Sequence, residues 1–114
     1  MENSAAFYSV LDVTPTSEDW IPAYLPVANK LMAKNGGKYL ARTASHEQLE
    51  GDGSAVGLRV IIQWPSKEAA IAFINDEEYT PHLHARTEGS VSNRYLSEGK
   101  DECAGWPGRV SFCS

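Results

Sequence analysis

Two adjacent glycines, Gly36 and Gly37, divide a helical pattern from an extended one, and this junction constrains the fold more than any other feature of the chain. Ahead of them apolar residues recur at Leu25, Ala28, Leu31 and Met32, which is helical spacing. Glycine accepts the left-handed backbone of a helix C-cap without steric cost, so the helix stops here. Beyond them Lys38 to Ala44 reads as a strand. Thr43-Ala44-Ser45 interrupts its pattern and predicts a bulge, after which His46 to Glu50 resumes the strand. Gly51-Asp52-Gly53-Ser54 is a turn, and Val56, Leu58, Val60, Ile62 and Trp64 then alternate with Arg59 and Gln63 as a third strand. The hairpin so defined brings Arg42 and Glu50, an opposite-charge pair, to one end.

The flanking segments complete the order. Phe7 to Val13 is rich in aromatic and β-branched residues and ends at Thr14-Pro15, a first strand. Thr16-Ser17-Glu18-Asp19 offers a capping-box-like entry to the first helix, with Pro22 tolerable in its first turn and Pro26 predicting a kink. Ser66 caps a second helix whose apolar face is Ala69, Ala70, Phe73 and Ile74. Asn75 to Glu78 leads into a short third helix from Tyr79 to about Glu88, bent at Thr80-Pro81, and Val91 to Glu98 is the fourth strand. Strand-helix-strand twice over is the split, ferredoxin-like βαββαβ arrangement, an α+β fold with a four-stranded antiparallel sheet. Residues 1–99 form that domain and residues 100–114 an irregular tail.

A chain of 114 residues fits one domain. Its net charge of -5 argues against nonspecific nucleic-acid binding, which favours a basic face. No segment reaches the roughly 20 apolar residues that span a bilayer, and the first residues lack a basic region and apolar run, so the expectation is a cytoplasmic protein without membrane contact.

With these elements in place, the chain resembles the bacterial family called domain of unknown function thirteen-thirty, of the dimeric α+β barrel superfamily. The resemblance runs from about Phe7 to Gly99. It rests on Asp12-Val13, Tyr24 twelve residues before Gly36, Tyr39-Leu40-Ala41-Arg42 and Leu49-Glu50-Gly51-Asp52. It continues through Trp64-Pro65-Ser66, Glu68-Ala69-Ala70, Glu78-Tyr79 and Arg86. It implies a homodimer with a small pocket between sheet and helices, and no established activity. The superfamily includes cofactor-free oxygenases, haem enzymes, cyclases and lyases, an analogy of fold alone.

The candidate site residues carry alternative readings. Arg42, taken to lie on the strand face opposite Tyr39 and Ala41, offers a guanidinium fork for a carboxylate or enolate, with Glu50 as orienter or base. The competing reading is a structural ion pair that closes the hairpin or the dimer. Tyr79, His82 and Arg86 share one helical face, where they either bind an anion and move a proton or form an ordinary amphipathic surface. Asp12, with Tyr8 and Tyr24, is either a pocket-wall acid or a strand-end carboxylate bonded to backbone amides. His82 and His84 diverge on a helix, and no metal site is expected. Cys103 and Cys113 read as free thiols, and Trp106, Val110 and Phe112 as anchors that dock the tail.

The functional expectation is a small-molecule-binding protein, in its sharper form a cofactor-free enzyme on a small carbonyl or carboxylate compound. A non-catalytic sensor or carrier and a purely structural dimerisation module are the alternatives.

Overall fold

The structure is a computed structural model describing residues 6–53 and 55–101. Its order is β1 (Phe7–Pro15), α1 (Ile21–Lys34), β2 (Lys38–Thr43), β3 (Leu58–Trp64), α2 (Lys67–Ile74), α3 (Thr80–Glu88) and β4 (Ser90–Glu98). The strands form one sheet in the order β2-β3-β1-β4, and every neighbouring pair is antiparallel. This is the ferredoxin-like α+β fold that the sequence predicts. The expected tail anchors and both cysteines lie outside the described residues.

Successive side chains of a strand point to opposite faces, so register decides which residues meet the helices. Ser9, Leu11 and Val13 of β1 and Val60, Ile62 and Trp64 of β3 are buried on one face. Tyr24, Ala28, Leu31 and Met32 of α1, Ala70 and Phe73 of α2, and Tyr79 pack with the apolar members of that set in a single core. Trp64 is fully buried, and its indole Nε1 donates to Ser9 Oγ at 2.8 Å, which satisfies both polar groups inside the core.

Helix boundaries follow local chemistry, with corrections. Trp20 precedes α1 and no side chain caps it, so the Thr16–Asp19 box is not used. Pro22 stands in the first turn and Pro26 lies within the helix. Tyr24, not Leu25, completes the buried stripe; Leu25 is exposed. Gly36 adopts φ +79°, the left-handed conformation expected of the helix stop. Ser66 caps α2 as predicted, its Oγ accepting from Ala69 N at 3.1 Å. Pro81 occupies the first turn of α3 and so opens that helix instead of bending it.

The largest correction concerns the hairpin. β2 ends at Thr43, and residues 44–50 form a loop, not a resumed strand. The bulge lies earlier. Tyr39 pairs with Ile62 and Ala41 with Ile61, so Leu40 is an extra residue between them. One extra residue reverses the facing of everything beyond it. Arg42 therefore pairs with Val60 and shares the helix-covered face with Tyr39, where an unbroken strand would have turned it away.

Candidate functional site

A cavity of about 370 Å³ lies between the sheet and α1. Its sheet wall contains one complete cross-strand row: Arg42 of β2 opposite Val60, Val60 opposite Leu11, and Leu11 opposite Arg94 of β4. Strand spacing of roughly 4.8 Å puts the two arginine backbones about 14 Å apart across this row. Apolar side chains fill the middle and guanidiniums stand at both ends. Trp20, Tyr24 and Ala28 supply the helix side, and Arg86 of α3 joins the wall near Tyr24.

The Arg42 end is open and its guanidinium is engaged. Arg42 is exposed, donates from Nη1 to Asn29 Oδ1 at 2.9 Å, and lies 3.8 Å above the Tyr39 ring centroid. Tyr39 OH donates to the same Asn29 oxygen at 3.0 Å, and burial raises the Tyr39 pKa above its ordinary value. The expected pairing with Glu50 does not form: Glu50 is exposed in the 44–57 connection and borders a different surface hollow with His46 and Arg59.

The opposite end is enclosed. Arg86 is 3 % exposed, and its Nε has no hydrogen-bond partner. Arg94 has Nε and Nη1 buried without partners, and its Nη2 donates to Tyr79 OH over a long 3.4 Å. Tyr79 OH and Tyr24 OH are 2.7 Å apart. Among the described residues neither arginine has a carboxylate in ion-pair reach. Burial lowers the Arg94 pKa, opposed by Tyr79 and Tyr24 and reinforced by the nearby Arg86 charge. Burial likewise raises the Tyr24 pKa, reinforced by Tyr79 and opposed by Arg86, so the phenol is a neutral donor. Arg86 lies 5.9 Å from the Tyr24 ring centroid and Arg94 5.7 Å from that of Phe73, distances at which ring faces attract cations.

Of the residues nominated from sequence, Arg42, Tyr24 and Arg86 line the cavity, and Tyr79 is fully buried behind Tyr24. Three lie elsewhere. His82 is half-buried on α3 and outside the cavity wall. Asp12 is on the other face of the sheet, where its Oδ1 accepts from Arg59 Nε at 2.8 Å, directly across the strand pair. It is thus an ion-pair member, neither a pocket acid nor a carboxylate bonded to backbone amides. Glu50 is the third. Arg94 was missed altogether, although it shares strand parity with Leu96 and so occupies a position where an inward apolar residue is the norm. Among the described residues no group of three or more histidines, cysteines or acids could hold a metal ion.

Sheet order and helix placement define a ferredoxin-like α+β protein with a pocket on its helix-covered face. The family profile described as "Domain of unknown function (DUF1330)" matches residues 6–100, and the chain belongs to that family. No curated protein matches the sequence. A protein of unknown function from Rhodopseudomonas palustris superposes with a TM-score of 0.70 at 16% identity, over 87% of this chain and 85% of that one. SnoaB, a cofactor-independent oxygenase from Streptomyces nogalater, gives 0.54 at 14% identity, over 90% and 99%. A proposed antibiotic biosynthesis monooxygenase from Caulobacter crescentus CB15 gives 0.58 at 13% identity, over 87% and 92%. At these identities the likeness is one of fold. No helix among the described residues is long and apolar enough to cross a membrane.

Proposed function

We propose that the protein binds one small organic molecule, a compact and largely apolar compound bearing a carbonyl or carboxylate oxygen, in the cavity between sheet and α1. The observation that carries this reading is the cavity itself. Its volume falls in the range of about 300–1,000 Å³ typical of ligand sites, with an apolar wall and a few convergent polar groups. The cofactor-independent oxygenase among the structural neighbours supports a cofactor-free chemistry by analogy of fold. Binding is nonetheless favoured over catalysis. Abstracting a proton from a bound compound needs a base within hydrogen-bond reach, and no aspartate, glutamate or histidine lines the cavity among the described residues.

The working unit in this reading is a homodimer in the cytoplasm. What supports the pairing is the uncovered face of the sheet, where Val91 and Tyr95 of β4 are 62% and 60% exposed beside Val10 and Ile61. A sheet face with these apolar residues around the Asp12–Arg59 pair gains by covering itself with a copy of its own surface. Sedimentation at micromolar concentration should give a dimer, and a monomer there would remove this part.

Native mass spectrometry of freshly purified protein tests the main reading. The expected result is a small-molecule adduct lost on denaturation and absent from an Ala28→Phe variant, whose larger side chain fills the cavity. The outcome against it is no adduct together with no rise in melting temperature from any aromatic or aliphatic acid or its amide.

A further inference from the structure

The enclosed end of the cavity holds two guanidiniums and no acid, and this combination bears on what enters. A charge taken out of water without a partner destabilises a fold, and surrounding groups normally neutralise it with a carboxylate. Here none does so for Arg86 or Arg94 among the described residues. Arginine stays protonated, so the positive charge remains. Three buried nitrogens, Arg86 Nε and Arg94 Nε and Nη1, lack any acceptor. Both side chains border the cavity, as does Tyr24.

The hydroxyl pair adds a direction. Arg94 donates to Tyr79 OH, and in the Tyr24–Tyr79 pair either hydroxyl can be the donor. When Tyr79 donates, the Tyr24 hydrogen is the one left for an acceptor in the cavity that Tyr24 lines. A chain of hydrogen bonds that begins on a cation polarises each link and sharpens the last donor. The enclosed end therefore presents donors and positive charge, and among the described residues no carboxylate to pair with a cation.

We propose that the ligand is a carboxylate, its charged group seated at the Arg86–Arg94 end with a hydrogen bond from Tyr24, and its apolar body lying over Leu11 and Val60 toward Arg42. This rests on the binding function proposed above and names the chemical class for it. Arg42 serves the mouth and is not the principal anion contact.

The test compares matched pairs, phenylacetate with phenylacetamide and octanoate with octanamide, by calorimetry on the full chain. Replacing carboxylate with amide conserves size and removes the charge. Each acid should bind at least about tenfold more tightly than its amide, the scale of a charge-assisted hydrogen bond. In Arg86→Met that preference should fall to near unity while melting temperature holds or rises, because an unpaired buried charge has been replaced by an apolar chain of similar length. Equal binding of acid and amide by the unaltered protein would overturn this inference and leave the binding function standing. Failure of all four compounds to bind would count against both, and a co-purifying adduct that proves to be a neutral compound would refute the carboxylate alone. A large loss of melting temperature in Arg86→Met with the acid preference of the unaltered protein absent would assign Arg86 a purely structural role.

Discussion

Arg42 and Arg94 end the same row of the sheet, yet they are opposite kinds of arginine. Arg42 sits at the open end with Asn29 as acceptor, Tyr39 as a stacking face and water beyond. Arg94 is enclosed, together with Arg86, and is left with donors that nothing in the described chain accepts. A guanidinium that is already satisfied adds to the fold and asks for no ligand. One that is buried and unsatisfied lowers the stability of the empty protein and returns that cost when an anion arrives. Residue type and strand row are shared, so only burial and partners separate a structural arginine from a binding one.

The comparison breaks most readily at Tyr79. Tyr79→Phe keeps the ring and removes the hydroxyl that takes Arg94's one hydrogen bond and pairs with Tyr24. Leaving buried polar groups without partners costs about 1–3 kcal/mol, so denaturant unfolding should show a loss of that size, with carboxylate binding weakened too. A neutral result would mean that the enclosed end is already hydrated and that the contrast with Arg42 is weaker than drawn.

Arg42→Ala should have the next largest effect on the empty protein. It removes an exposed cation–ring contact and one hydrogen bond, a loss of about 0.5–1 kcal/mol. The sign is the informative part. Removing Arg42 should lower stability, whereas removing Arg86 should not. Two variants moving the same way would erase the distinction between the ends.

The smallest effect concerns the turn that delivers α3 to the enclosed end. Asp76 Oδ1 accepts from Glu78 N at 2.9 Å and Oδ2 from Lys34 Nζ at 3.2 Å, and these bonds hold its pKa below the ordinary 3.8. A carboxyl with a lowered folded-state pKa contributes stability above its unfolded value and loses it as pH falls through the folded one. Melting temperature should therefore decline slightly more steeply below about pH 4 in the unaltered protein than in Asp76→Asn. Parallel curves would show that the turn is held by backbone geometry alone.

Periodicity makes most of this fold legible in the sequence. The alternation from Val56 to Trp64 and the helical stripe ahead of Gly36 each have one strong reading, and both elements are present, the strand beginning two residues later at Leu58. The hairpin connection does not. Residues 46–50 read as a resumption of the strand, but His46 Nε2 bonds the Val56 carbonyl and the Gln48 amide donates to the Gly51 carbonyl, so polar side chains close a loop there. Arg94 was hidden for a different reason. Val91 and Tyr95 are apolar on one parity of β4 and Leu96 on the other, so the strand has no clear inward side until β1 is laid against it. Tyr24, Tyr79 and Arg86 were nominated, but their meeting depends on α1 packing against α3, a tertiary fact that spacing along one helix does not contain.

The extra residue in β2 has a consequence for how such a pocket can change over generations. Leu40 is not among the residues that line the cavity, yet the bulge it forms decides that Arg42 and not Ala41 stands opposite Val60. Pairing Leu40 regularly with Ile61 would put Ala41 opposite Val60 and swing Arg42 against Arg59 on the far side of the sheet, whereas losing Leu40 would close the bulge and leave Arg42 opposite Val60. Which side chain stands at the entrance is thus decided by how Leu40 is accommodated, as a bulge or as a paired residue, with the wall residues themselves unchanged.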